Sequence, residues 1–291
     1  MEELSKTAPR RLDQYVAEYY EAAISRAFAA KLVNDGKVTV NGKVVDKPGY
    51  RLRAGDAVVS DFVLEDRPAV PDITLEVLYE DDDCIVINKP IGLLTHSKGA
   101  YNPEATVATW LRSRLAIDFA NVNDRAGIVH RLDRATSGVM ITAKNQAALS
   151  LFQKQFSQRK VKKTYAAIVA GHLKNSTAVI DMPIERNPKA PATFRVGPNG
   201  KSATTLYVVE RTTEHFSLLD LKPTTGRTHQ LRVHLSQIGH PIIGDPIYSS
   251  KTAERLFLHA QSLEITLPNR ERKVFTVPLP DSFGAYLDAD E

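Results

Sequence analysis

The sequence predicts an α+β protein whose larger part is a largely antiparallel mixed sheet with helices, preceded by a small α/β unit. Three observations predict it. Beyond residue 73 strand-like segments outnumber helical ones and arrive in hairpin-like pairs, the pattern of an antiparallel sheet with segregated helices. At 291 residues the chain is too long for one small module and fits two domains of roughly 100–200 residues each. The hydrophobic spacing is helical before a proline- and acid-bearing stretch, residues 63–72, and alternating after it. We therefore expect domains over residues 1–62 and 73–291 with a linker between them.

Taken in order, Leu12, Val16 and Tyr19 fall on one helical face, and Ile24, Phe28 and Leu32 stripe a second helix expected over residues 25–33. Asn34-Asp35-Gly36 stops it. Residues 38–40 and 44–45 flank Asn41-Gly42, a pair that accepts the positive φ angles of a type I′ hairpin turn. Ala54-Gly55-Asp56 turns the chain into a strand over residues 57–62. Past the linker, Ile73, Leu75, Val77 and Tyr79 alternate, and the apolar run Cys84-Ile85-Val86-Ile87 follows an acidic turn. Further strands are expected over residues 139–142, 164–169, 204–209 and 216–221. Residues 147–156 and 228–238 read as amphipathic helices, the second stopped by Gly239.

Composition narrows the function classes. With 43% hydrophobic and 25% charged residues the chain can bury a core and is not a disordered segment. A net charge of +4 leans toward a polyanionic partner without establishing one. Cys84 is the one cysteine, which leaves no intrachain disulfide and no thiolate metal cluster, and favours a cytoplasmic protein. The opening residues carry no apolar leader, and no apolar run approaches the ~20 residues of a membrane helix. His229 and His234 lie about 140° apart on a helix and do not share a ligand. Gly197 to Ser202 lacks the first glycine of a phosphate loop, and Glu80 to Asp83 lacks the glycine and distal glutamate of a calcium loop. Neither a metal nor a cofactor is expected.

Chemistry concentrates in three stretches. His130-Arg131-Leu132-Asp133-Arg134, followed by Thr136-Ser137-Gly138, sets one carboxylate among cations. Thr225-Gly226-Arg227-Thr228-His229-Gln230-Leu231-Arg232 loads polar donors onto the junction between a strand and a helix. Lys154, Arg159, Lys160, Lys162 and Lys163 run into Tyr165, and basic charge beside an aromatic ring suits nucleic acid, though a solvated helix end reads equally well. Arg26, Lys31, Lys37 and Lys43 leave the same two readings open in the N-terminal unit.

These stretches resemble the pseudouridine synthases of ribosomal and transfer RNA, in the branch whose catalytic motif reads HRLDxxTSG. Lys89-Pro90-Ile91-Gly92-Leu93, Lys163-Thr164-Tyr165, the stretch from Thr225 to Arg232, Gly239 to Asp245 and Leu258-His259-Ala260 match that branch's other motifs in order, covering residues from about 75 to 280. The first 60 residues are similar to the small RNA-binding domain of the small-subunit ribosomal protein four type, through Arg11-Leu12-Asp13, Ser25-Arg26 and the segment from Val38 to Gly42. Ala135 departs from the family's usual acidic residue, and Ser97 stands where a proline commonly follows the histidine; both bear on loop shape and RNA choice.

The resemblance implies a catalytic cleft in which a uridine is isomerised without metal or cofactor. It implies Asp133 as the reacting carboxylate, by attack on the sugar or by removal of a neighbouring proton. A carboxylate in a cleft needs an opposite charge within about 6 Å to stay ionised, and the implied partner is Arg227. Tyr165 would hold the flipped base, and Arg131 would fill the gap the base leaves. His130, Lys89 and Arg232 would stand on the substrate side of the cleft, His130 shaping the turn more than moving protons. Arg11, Ser25, Arg26, Lys31 and Lys43 would bind RNA backbone. Large-subunit ribosomal RNA is the favoured partner and transfer RNA the alternative; nothing in the sequence demands more than a monomer. A rival reading is a silent RNA-binding assembly factor, which has no use for Asp133, Tyr165 and Arg227 together. A hydrolytic glycosidase would need two carboxylates flanking the bond.

Overall fold

In the computed structural model, which describes residues 10–21, 23–63, 70–97, 104–115, 126–249 and 251–290, the N-terminal segment folds around its own core. Helices α1 (Leu12–Tyr19) and α2 (Arg26–Asn34) pack with strands β1 (Val38–Val40), β2 (Lys43–Val44) and β3 (Val58–Ser60), burying Leu12, Val16, Ile24, Leu32 and Val38. The strands form an antiparallel sheet in the order β2-β1-β3. Asn41 and Gly42 sit at φ 53° and 75°, as their turn requires. Tyr19 departs from the expected inward stripe and is 54% exposed: it is the last residue of α1, and its ring packs edge-on against Tyr20 rather than into the core. Residues 64–69, most of the expected linker, lie outside the described residues.

The rest of the chain adds β4 (Glu76–Glu80), β5 (Cys84–Lys89), α3 (Val107–Arg114), β6 (Ser137–Ala143), α4 (Gln146–Ser157), β7 (Lys162–Ala170), β8 (Thr177–Asp181), β9 (Ile184–Arg186), β10 (Phe194–Val196), β11 (Thr204–Thr212), β12 (Phe216–Pro223), α5 (Gln230–Gln237), β13 (Leu258–Thr266), β14 (Arg272–Thr276) and α6 (Asp281–Asp288). Nine of these strands form one sheet in the order β4-β5-β6-β13-β7-β12-β11-β8, with β14 also on β13. Every pair is antiparallel except β6 with β13, so the sheet is mixed and largely antiparallel as the sequence predicts. One edge of β13 is shared: His259 and Ala260 lie against β6, and residues 262–266 against β14.

The centre of the sheet is covered on both faces. Strand β6 is buried throughout, and Cys84 to Ile87 in β5 are fully buried, which is why these segments read as continuous apolar runs rather than alternations. Helices α3 and α4 contribute Leu111, Leu149 and Phe152 to the core on this half, and α5 contributes Leu231 and Leu235 to the core beside β7 and β12. Strands β9 and β10 stand apart as a two-stranded sheet. No helix among the described residues is long and apolar enough to cross a membrane.

Candidate active site

A cleft of about 430 Å³ opens where the loop ahead of β6, the strand β7, the end of β12 and the start of α5 converge. Asp133 reaches it from that loop, which is held from behind. Thr95 Oγ1 donates to the Leu132 carbonyl at 2.8 Å and accepts the Leu132 N–H at 3.2 Å, while the Gly92 N–H donates to the Arg134 carbonyl at 2.8 Å. Lys89 completes the brace. Its amine is fully buried and donates to the carbonyls of Pro90 and Leu93 at 2.8 Å and of Arg134 at 3.5 Å. Burial pushes that amine down to about 8, with the Asp133 charge opposing. The expectation that Lys89 contacts substrate is therefore corrected: its three donors are turned onto backbone, and it positions the Asp133 loop.

The cation beside Asp133 is Arg232, not Arg227. Arg232 Nη1 lies 3.4 Å from Asp133 Oδ2, and His229 Nε2 lies 3.8 Å from the same oxygen. Arg227 makes no such pair within 4 Å; its Nε donates to the Ser202 carbonyl at 3.0 Å and its backbone N–H to Gln230 Oε1. Arg232 is also corrected from a substrate contact to a buried support. It is 4% exposed, and Nε and Nη2 each donate to an Asp245 oxygen at 2.7 Å. Burial drives the Asp245 carboxyl up, but the Arg232 hydrogen bonds and charge, with the N–H groups of Ile247 and Tyr248, outweigh it and hold the group below the ordinary carboxylate range. The guanidinium thus links a wholly buried carboxylate to one that faces the cleft.

Tyr165 lines the cleft from β7; burial, then the Asp133 charge, raises its phenol well above the ordinary value. Lys163 lies two residues earlier on the same strand face. Its amine donates to the Thr225 carbonyl at 3.2 Å, and burial pushes it down to about 8. His130 accepts the Ile141 N–H at 3.2 Å and stacks on Phe156 with ring centroids 4.7 Å apart; burial, then the Lys163 charge, pushes it down to about 3, so it is a neutral wall residue that fixes the turn. Arg131 is exposed at the cleft.

In the N-terminal unit the Ser25 hydroxyl oxygen accepts the Phe28 N–H at 3.1 Å, capping α2. Arg11 and Arg26 both pair with Asp13, at 3.0 and 2.9 Å, and remain about half exposed, at 46% and 50%. Lys31 and Lys43 are exposed. Sequence reasoning missed four functional candidates: His229, Asp245, Tyr248 and Lys163 in its present role. The signal for Asp245 is its place in the stretch from Gly239 to Asp245, and that for His229 its place among the polar donors of the stretch from Thr225 to Arg232.

Comparison with known proteins identifies the family. Residues 83–237, more than half of the chain, match the RNA pseudouridylate synthase family, and residues 10–58 match the S4 domain. A ribosomal large subunit pseudouridine synthase D from Vibrio parahaemolyticus is 37% identical, covering 96% of this chain and 90% of its own. An uncharacterized RNA pseudouridine synthase from Aquifex aeolicus is 40% identical over 84% of this chain and 78% of its own. Among solved structures, human RNA pseudouridylate synthase domain containing 1 superposes with a TM-score of 0.61 at 32% identity, over 74% of this chain and 87% of that one. A family match over more than half of the chain, relatives 37–40% identical over most of their length and a shared fold make this chain a member of the RNA pseudouridylate synthase family, an enzyme acting on RNA and carrying an S4 domain.

Proposed function

We propose that the enzyme converts specific uridines of large-subunit ribosomal RNA to pseudouridine, with Asp133 reacting at the ribose of a uridine turned out of its stack. One observation carries this reading: among the described residues lining the cleft, Asp133 is the single carboxylate, faced by Arg232 and His229. A glycosidase would set a second carboxylate across the bond, and none lines this cleft among the described residues. Turning a base out costs a few kcal/mol, which stacking on an aromatic ring offsets by about 1–3 kcal/mol. On this reading Tyr165 supplies the ring, and Arg131, exposed at the cleft, would fill the vacated position.

Asp133 then either bonds to the anomeric carbon or takes the adjacent proton from the sugar; both routes start from the same ionised carboxylate and release uracil as an anion. The freed base turns and its carbon five bonds to the anomeric carbon as the bond to Asp133 breaks or, on the second route, as Asp133 returns the proton to the sugar; the carbon-five proton then leaves to water and N1 takes one up, so that atoms balance without an oxidant or a co-substrate. Ribosomal RNA is favoured because relatives along most of the chain are named for the large ribosomal subunit. The test is tritium release from uridine labelled at carbon five, in unmodified large-subunit ribosomal RNA and in transfer RNA, with wild type and Asp133→Asn. Release from ribosomal RNA, lost in Asp133→Asn, is expected. Release from transfer RNA alone would move the substrate, and release by Asp133→Asn would remove the aspartate from the mechanism.

The exposed Lys31 and Lys43 are proposed to contact RNA phosphates. Replacing both by alanine is expected to flatten the logarithmic salt dependence of RNA binding by about 1–2, since each phosphate contact contributes a slope near 0.9. Tritium release at saturating RNA should stay at the wild-type rate. An unchanged salt slope would place the RNA elsewhere.

A further inference from the structure

His229 stands immediately ahead of α5 at φ 56°, in the left-handed region that residues other than glycine rarely enter. That backbone turn sends the imidazole into the cleft, where its side chain is 14% exposed. Nδ1 has a hydrogen-bond partner, and Nε2 faces the Asp133 carboxylate at 3.8 Å, outside hydrogen-bond length. The Tyr248 hydroxyl oxygen accepts the Phe194 N–H at 2.9 Å, and the same oxygen lies 2.8 Å from His229 Nδ1. With its oxygen already accepting the Phe194 N–H, the Tyr248 hydroxyl is placed to donate its proton to Nδ1, an arrangement that would put the ring proton on Nε2, the nitrogen 3.8 Å from Asp133 Oδ2. The rings of Phe194 and Tyr248 meet the imidazole edge-on, each with centroids 5.6 Å away, and prevent it from turning over.

We propose that the Phe194 N–H, Tyr248 and His229 form a relay that orients Asp133, with His229 as a positioning residue whose Nε2–H, 3.8 Å from Oδ2 in this structure, closes to a hydrogen bond on that oxygen beside Arg232 when RNA is bound and leaves Oδ1 as the oxygen that reacts with the ribose. The proposal rests on the reading of Asp133 given above. It also explains the small β9–β10 sheet. That hairpin is outside the nine-stranded sheet, and through the Phe194 N–H it becomes the far end of a chain of contacts that terminates on the reacting carboxylate. Burial, followed by the charges of Arg232 and Arg131 against those of Asp133 and Asp245, keeps the imidazole below its usual value, so at neutral pH it acts as a dipole and not as a second cation.

Two amides separate the two ends of the imidazole. In His229→Asn the amide oxygen takes the place of Nδ1, keeps the Tyr248 hydroxyl and tolerates the left-handed backbone, but the donor toward Asp133 is gone. In His229→Gln the amide nitrogen takes the place of Nε2 and keeps that donor. The measurement is single-turnover tritium release at saturating RNA, alongside RNA affinity and thermal midpoint. His229→Asn is expected to slow the step about 10- to 100-fold, the effect of one hydrogen bond to a charged group, while His229→Gln stays within about fivefold of wild type. Tyr248→Phe, which removes one oxygen, should slow it about 3- to 10-fold. Affinity should stay within about twofold in all three, because none of these groups is asked to bind RNA. His229→Asn at the wild-type rate, or losses that appear as weaker binding with an unchanged saturating rate, would overturn the relay. Asp133→Asn measured in parallel separates the failures: an active Asp133→Asn overturns the aspartate reading and the relay with it, whereas an inactive Asp133→Asn beside a fully active His229→Asn overturns the relay alone.

Discussion

Arg232→Met is expected to lower the unfolding free energy by about 3–5 kcal/mol and to abolish tritium release, because it strips the counter-charge from two carboxylates at once. The larger share of the stability loss comes from Asp245, whose side chain is wholly buried. Without the guanidinium it keeps two backbone donors, Ile247 and Tyr248, against the full cost of a charge out of water. The double substitution Arg232→Met/Asp245→Leu should recover most of the stability, since removing both members of a buried pair is often close to neutral. It should not recover activity, because Asp133 still lacks its cation. Arg227→Met removes only the side-chain bond to Ser202 and is expected to cost about 1 kcal/mol. Acid supplies an independent check. The Asp245 value is lowered in the folded protein, so its stabilising share is complete above the unfolded carboxylate value and is lost as pH falls through the folded one. In Arg232→Met the same carboxyl is relieved by protonation. The stability gap between the two proteins should therefore narrow from about pH 7 to about pH 4, read from urea midpoints; a constant gap would mean that Asp245 is not the source of the loss.

Which arginine meets Asp133 was not legible in the sequence, and the reason lies at one backbone turn. The pattern predicts a helix from residue 228, whereas α5 begins at Gln230 behind a left-handed His229. With the first helical residue two positions later and a kink before it, Arg227 belongs to the incoming loop and Arg232 to the inward face of the first turn. Lys89 was misread for a related reason. A lysine at a strand end looks like a substrate cation, and the three carbonyls it serves come from Pro90, Leu93 and Arg134, the last 45 residues away along the chain. What local pattern does determine was readable: the buried β5 as an apolar run, the core of β6 as a strand, the Asn41-Gly42 turn, and α2. Strand β4 illustrates the limit. Ile73 and Leu75 continue the alternation, but pairing starts at Glu76 opposite Asn88, and Lys89, the last residue of β5, pairs only on its other side, with Gly138. The pairing of β6 with β13 joins segments about 120 residues apart and has no local signature at all.

That same pairing sets the second large effect. Gly138→Ala is expected to destabilise the catalytic domain by more than about 4 kcal/mol, beyond the range of ordinary substitutions. Gly138 sits at φ 117°, and a Cβ there would lie 2.2 Å from the Ala260 carbonyl oxygen and 2.6 Å from the Ala260 nitrogen. Those are backbone atoms inside the one parallel pairing of the sheet, where Gly138 is opposite Ala260 and Ser137 opposite His259, so no side chain can swing away to make room. The alternative is for β6 and β13 to separate. Separation would break the contact of Ser137 Oγ with His259 Nδ1 at 2.9 Å, and would shift the loop that ends five residues upstream in Asp133. Gly239→Ala isolates the backbone component: Gly239 is at φ 87° with nothing within 4 Å of the added atom, and should cost only about 1 kcal/mol. Urea unfolding of the two variants decides between close approach and backbone angle. Equal losses would mean that the glycine serves only its φ. A much larger loss at Gly138, with any folded remainder inactive, would mean that the distance between two strands far apart in sequence fixes where Asp133 stands.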